Sequence, residues 1–273
     1  MWGVLSASLF FLPFNRLIAS VILVAAVGMG VYHQVLTPLS LACLAIIAIS
    51  IWLRHQYSHQ RIIRLLVEIF LVACSIALFY HLIPGFNNPL MVNQDKLGPL
   101  SSPYSLYYNF DKALVPFLLF ICLPTLFNAG KRDRKVGVRA WVTLALSVPA
   151  LLLLAVLLGG LKIELHMPHW MLAFMMANLF FVSMAEEALF RGYLQQRLHQ
   201  WLGAYPALII TALLFGAAHL AGGILMVAFA ALAGLIYGLA WMWSRRLWVP
   251  ICFHFGLNLI HLLFFTYPLY QHP

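Results

Sequence analysis

Three clusters in the C-terminal half of this chain combine residue types that hydrolyse bonds. They are Glu186, Glu187 and Arg191 in "EEALFR", Phe215 and His219 in "FGAAH", and His254 and Asn258 in "HFGLN". The chain has only seven acidic residues, and two of them are neighbours here, inside an apolar run. A charge at the centre of a bilayer is unfavourable by roughly 2.5 to more than 10 kcal/mol, depending on the scale. Ionisable groups in such places therefore need a partner or a chemical task. Successive helical side chains point about 100° apart, so the two glutamates cannot face one cavity equally. Glu187 and Arg191 stand four apart with the acid first, the better order for a helical ion pair, and are expected to neutralise each other. Glu186 has no such neighbour on its helix and is left for general acid–base chemistry. His254 and Asn258 share a helix face, which His261 continues. Phe215 and His219 share another, with Gly216, Ala217 and Ala218 leaving room for close packing.

Depth tests whether these groups can meet. At 1.5 Å per residue, Glu186 lies about 16 Å from Arg197, His254 about 12 Å from Arg246, and His219 about 20 Å from Pro206. All three fall between the basic ends of their spans and the mid-membrane, with His219 deepest.

The elements that must hold them follow from composition. The 273 residues are 64% apolar and 8% charged, with a mean hydropathy of +0.94. Soluble domains carry about 25% charged residues, and disordered chains are more polar still. The fold class expected is all-α, a polytopic integral membrane bundle of eight or nine transmembrane helices. The candidate spans are 17–32, 38–53, 65–84, 113–127, 140–161, 171–197, 206–221, 224–244 and 248–265. Each approaches the roughly 20 residues that cross a hydrocarbon core, and nothing alternates as barrel strands do.

The net charge of +9 is explained by topology, not nucleic acid. With the N-terminus cytoplasmic, twelve of the sixteen basic residues fall on the inner side: Arg16, Arg54, Arg61, Arg64, Lys131, Arg132, Arg134, Lys135, Arg139, Arg197, Arg245 and Arg246. Only Lys96, Lys112 and Lys162 fall outside, a strong positive-inside asymmetry. A plasma or inner membrane is the expected location. Arg16 follows the first apolar stretch, where a signal peptide's charge would precede it, so no cleavable signal is expected. The four cysteines lie within apolar runs without paired spacing and read as small core residues. Residues 128–139 mark a boundary between an N-terminal bundle, 1–139, and a C-terminal bundle, 140–273. The external stretch 85–112 reads as a connector, and His166 and His169 beside Pro168 carry little weight. Glu68 is expected to pair with Arg64, and the GxxxG of Gly234 and Gly238 to form a helix-packing seam.

In this order and spacing the three motifs resemble the CPBP family of intramembrane proteases, which includes the type II CAAX-prenyl endopeptidases and the bacteriocin-processing Abi proteins. The family pattern is EExxxR, FxxxH, and HxxxN or HxxxD on separate membrane helices, and no motif position here departs from it. The resemblance covers residues 171–265. It implies an intramembrane glutamic endopeptidase in which Glu186 and His219 activate a water, while His254 and Asn258 stabilise the oxyanion. Glu187, Arg191 and Phe215 support the site. A neutral histidine and an asparagine can each donate to developing negative charge. No cofactor and no metal are implied. The partners implied are the lipid bilayer and a membrane-borne protein or peptide, lipidated or bearing a leader, reached through a polar cavity open to the cytoplasmic side. Two other readings stay open. The same Glu and His residues could ligate zinc, although no HExxH is present. Alternatively the bundle is a non-enzymatic binding or immunity scaffold.

Overall fold

The computed structural model describes residues 1–130 and 136–271. Among these residues are ten helices and one β-hairpin. In chain order they are α1 (Trp2–Phe11), α2 (Arg16–Tyr32), α3 (Pro38–Gln56), α4 (Arg61–Phe79), β1 (Leu90–Asp95), β2 (Tyr104–Tyr107) and α5 (Phe110–Cys122). There follow α6 (Val138–Leu157), α7 (Met171–Leu202), α8 (Ala204–Ala217), α9 (Gly223–Ser244) and α10 (Trp248–Phe264). Lys131, Arg132, Arg134 and Lys135 of the basic loop lie outside the described residues.

All nine expected spans are helical, but α4, α5, α6 and α8 stop four or five residues before the C-terminal ends expected for them. The tenth helix, α1, is too short to cross a bilayer. It is held instead by burial of Leu5 and Leu9, and Trp2 packs against Tyr108, Phe110 and Phe181. Local signals set several boundaries. The Asn15 side chain accepts from the Ile18 amide at 3.1 Å and opens α2, and Pro38 occupies the first turn of α3. Gly203, at φ +85°, ends α7 and turns the chain into α8.

Helices α3, α4, α6, α7 and α9 are long and apolar enough to cross a membrane. The outward faces of α2 and α4 carry exposed Leu17, Val21, Ile62, Leu65, Leu66 and Ile69, an apolar surface too large for water and suited to lipid. The protein is thus an all-α integral membrane protein. Helix α7 differs from the other long helices: 61% of its most apolar window is buried, against 11–28% for theirs. It is the axial helix, packed by α5, α8, α9 and α10. One hydrophobic core runs through both halves of the chain.

Polar ties fasten α7 to its neighbours. Glu68 does not pair with Arg64. It meets Arg54 at 3.5 Å, Arg197 of α7, and the Tyr193 hydroxyl at 2.9 Å. The four-residue spacing within α4 loses because Arg197 and Tyr193 reach Glu68 across the helix interface. The GxxxG seam is present. Close packing joins α8 to α9, where a Cβ on Gly216 would lie 2.6 Å from the Val227 carbonyl, and Gly234 packs on Ala212. Of the cysteines, all free, Cys122 is buried but Cys252 faces outward, so it is not a core residue.

At the face away from Arg197, Arg245 and Arg246, residues 85–112 are more than a linker. Strands β1 and β2 pair antiparallel, and the Trp170 indole donates to Asp95 at 2.6 Å. The Ser101 hydroxyl donates to Glu164 Oε2 at 2.6 Å, the Leu100 amide to Oε1 at 3.0 Å, and His166 meets Oε2 at 2.9 Å. Burial works against the Glu164 charge, but the Ser101, Leu100 and His166 contacts outweigh it and hold the carboxyl below the ordinary glutamate range. The contribution of Glu164 to stability is therefore complete above about pH 4.3, the unfolded value. It is lost as pH falls through the lower folded value. Thermal melting in detergent should weaken on acidification below about pH 4, and Glu164→Gln should show a shallower fall.

Candidate active site

Helix α7 is α-helical at Met184–Glu187 but π-helical before it, over Ala177–Ser183, and after it, over Ala188–Gln195. Such widened turns re-aim the side chains beside them and recur at functional sites. No residue pattern in the sequence announced them.

Glu187 is fully buried and its Oε1 serves two partners: Arg191 Nη1 donates at 2.9 Å, and His254 Nδ1 donates at 2.8 Å. The expected pair is therefore a triad that joins α7 to α10. Arg191, also fully buried, sends Nη2 to the Gly234 carbonyl at 3.0 Å. Its guanidinium lies 4.3 Å from the Phe215 ring centre and 5.2 Å from that of Tyr237, favourable cation–π geometry. Tyr237 stacks on His254 with centroids 4.7 Å apart and planes 13° apart. Phe215 meets both His254, at 5.8 Å, and His219, at 4.8 Å. Phe215 is thus the hinge of the aromatic layer.

Hydrogen bonding assigns the imidazole protons. The His219 Nδ1 lies 2.8 Å from the Phe215 carbonyl, which can only accept, so Nδ1 carries the proton. A neutral His219 therefore offers Nε2 as an acceptor. His254 likewise commits its Nδ1 proton to Glu187. With Nδ1 so committed, Nε2 of His254 donates only in the doubly protonated ring. Asn258 gives one amide proton to Asn178 Oδ1 at 3.3 Å, leaving the other available. Asn178 also accepts from Ser183 at 3.2 Å.

A cavity of about 360 Å³ brings together Phe215, His219, Tyr237, His254, Asn258 and His261. Glu186 is not part of its wall. The side chain is buried, and among the described residues it has no hydrogen-bond partner, with Oε2 unsatisfied. It lies within electrostatic reach of Arg191 and Tyr237. Among the described residues, no three His, Cys, Asp or Glu side chains are grouped to hold a metal ion.

Sequence reasoning missed Asn178, Tyr237 and Gln195. Gln195 donates to the Gly238 carbonyl at 3.1 Å, repeating one turn on what Arg191 does at Gly234. A signal was present for two of them: buried Asn178 and Gln195 are polar residues in an otherwise apolar run. Tyr237 carried none, since a tyrosine in a membrane helix reads as packing.

Residues 168–260 match the family described as Type II CAAX prenyl endopeptidase Rce1-like. The match includes all three motifs, Asn178 and Tyr237, and leaves out His261. No curated protein and no solved structure matches the chain. These residues are thus similar to the CAAX-type intramembrane endopeptidases, consistent with the CPBP resemblance. That family implies a membrane-associated protein substrate.

Two substitutions test the site's supports. Arg191→Met leaves a buried carboxylate without its guanidinium and should lower unfolding free energy in detergent by about 3–5 kcal/mol. Asn178→Ala frees Asn258 to turn and should lower kcat by about 10²-fold with little change in KM or melting temperature.

Proposed function

We propose that the protein is an intramembrane endopeptidase of the glutamic type, with Glu186 as general base and then acid. The observation that carries this is the unequal pairing of two adjacent buried carboxylates. Glu187 is held by Arg191 and His254, whereas Glu186 has no hydrogen-bond partner among the described residues. A buried carboxylate that no hydrogen bond holds to a partner is free to take a proton and return it.

In this reading His219, with its Nδ1 proton committed to Phe215, accepts from a water through Nε2. Glu186 removes a proton from that water, and the oxygen attacks the peptide carbonyl carbon. The carbonyl π bond becomes an oxyanion, which accepts from the second amide proton of Asn258 and from Nε2 of protonated His254. Collapse re-forms the carbonyl and breaks the C–N bond, and the proton held by Glu186 passes to the leaving amine. Donors aimed at developing charge in a water-poor site are worth about 10²–10³ each in rate. Glu187, Arg191 and Phe215 position His254 and His219. The substrate is a membrane-borne protein or peptide, lipidated or carrying a leader. The chain lies in a plasma or inner membrane with its N-terminus and basic loops cytoplasmic, and residues 140–273 form the catalytic bundle behind an N-terminal bundle of residues 1–139.

The test compares protein termini across the native membrane and secreted proteomes for wild type, Glu186→Gln and His219→Ala at equal abundance. Both variants should lose the same few cleavage products, by about 10²–10⁴-fold for Glu186→Gln, and wild-type cleavage should persist with a chelator. Unchanged termini in both variants would favour a binding scaffold, and chelator-sensitive cleavage a zinc enzyme.

A further inference from the structure

Hydrogen bonding alone leaves the His254 ring under-determined. The side chain is held at one edge, where Nδ1 donates to Glu187 Oε1 at 2.8 Å. One bond fixes where the imidazole sits but not the tilt of its plane, and the χ2 torsion of histidine is broad. Nε2, at the other edge, must nevertheless point at one place to donate to developing charge. A twist of the ring about the Nδ1 contact would swing Nε2 away and still keep the bond to Glu187.

The plane is set by rings. Tyr237 of α9 lies against the face of His254, with centroids 4.7 Å apart and planes 13° apart. Phe215 of α8 meets the imidazole edge-on, at 5.8 Å and 87°. Tyr237 is itself immobilised by burial. Its ring stands at 80° to that of Phe215 with centroids 6.0 Å apart, and the Arg191 guanidinium lies 5.2 Å from its centre. Offset stacks and edge-to-face pairs of this kind carry geometric preference beyond the area they bury. The contacts that tie Tyr237 to the site are those of its ring, not of its hydroxyl.

The height of Tyr237 follows from α7. It stands between Gly234 and Gly238, and α7 side chains take both glycine carbonyls. Arg191 Nη2 donates to the first at 3.0 Å and Gln195 to the second at 3.1 Å. The two bonds are one turn apart on each helix, so α9 cannot slide or turn against α7 without breaking one of them. Gln195 is buried and lies eight residues beyond Glu187. That is about 12 Å along the helix axis, so any influence of Gln195 on His254 must run through α9.

We infer that Tyr237 is a positioning residue for His254, acting through the face of its ring, and that Gln195 acts through Tyr237. Glu187 fixes the place of the imidazole, and Tyr237 fixes the direction of Nε2. This role rests on the protease reading above, in which His254 donates to the oxyanion. A donor turned away from charge that develops only in the transition state lowers kcat and leaves substrate binding alone.

The test uses the full chain purified in detergent, with a peptide spanning a cleavage site that Glu186→Gln loses. Tyr237→Met replaces the flat face by a flexible chain that fills the space. It should lower kcat by about 10–10²-fold with KM unchanged, and Tyr237→Phe should restore kcat almost fully. Gln195→Met should also lower kcat, and the double variant should be no slower than Tyr237→Met alone. Melting temperature shows which variants are folded, and Gln195→Met tests the same role where Tyr237→Met is not. Proton NMR supplies a readout that needs no substrate. The His254 ring protons, identified by their loss in His254→Gln, lie over the Tyr237 face and should move downfield in Tyr237→Met but not in Tyr237→Phe. A kcat loss in Tyr237→Phe as large as that in Tyr237→Met would overturn the role of the ring and give it to the hydroxyl. His254 protons unmoved in folded Tyr237→Met would overturn the stacking itself, and additive losses in the double variant would remove Gln195. If Glu186→Gln loses no cleavage site, the protease reading falls, while the NMR shift still decides whether Tyr237 sets the imidazole plane.

Discussion

One carboxylate oxygen organises this molecule. Oε1 of Glu187 accepts from Arg191 on its own helix and from His254 on α10. An isolated charge at that depth would be prohibitive, so folding must deliver both partners together. Arg191 then has hydrogen-bonding capacity left for α9, which it reaches at the Gly234 carbonyl. Three helices are thereby set in register by a single buried ion cluster. The aromatic layer of Phe215, Tyr237 and His254 closes around the guanidinium because a desolvated cation is stabilised by ring faces.

That cluster also explains the glycines. A helix carbonyl already accepts from its own helix but retains a second lone pair. At Gly234 and Gly238 no side chain shields it, and α8 packs close enough that a Cβ on Gly238 would come within 2.4 Å of Leu208. The GxxxG seam thus does two things: it lets α8 approach α9, and it opens carbonyls to Arg191 and Gln195. Lipid cannot satisfy these polar groups, so the protein satisfies them with one another.

The layer around Glu187 and the outer strap formed by the C-terminal tail are linked through α10. His254 and Asn258 face α7, His261 bonds the Thr266 carbonyl at 3.1 Å, and the tail beyond runs under Ser101. Movement of the strap would therefore be felt by the helix that carries His254 and Asn258. The π-helical turns flanking Glu186 and Glu187 give α7 a looser ladder where its side chains must be aimed.

Much was legible in the residues alone. Apolar runs of membrane length, the asymmetry of Lys and Arg, and intramembrane Glu, Arg, His and Asn determined an all-α membrane bundle and named several of the side chains that converge. Those are local properties: hydropathy is summed over one helix, and the Glu187–Arg191 contact needs only four-residue spacing. Sharing of Glu187 with His254, replacement of Arg64 by Arg54 and Arg197 at Glu68, and stacking of Tyr237 on His254 were decided by the tertiary structure. Each depends on which helix stands beside which and at what height, and residues far apart in sequence carry no record of that. Only packing decides which of several polar groups in an apolar run reaches a buried charge first.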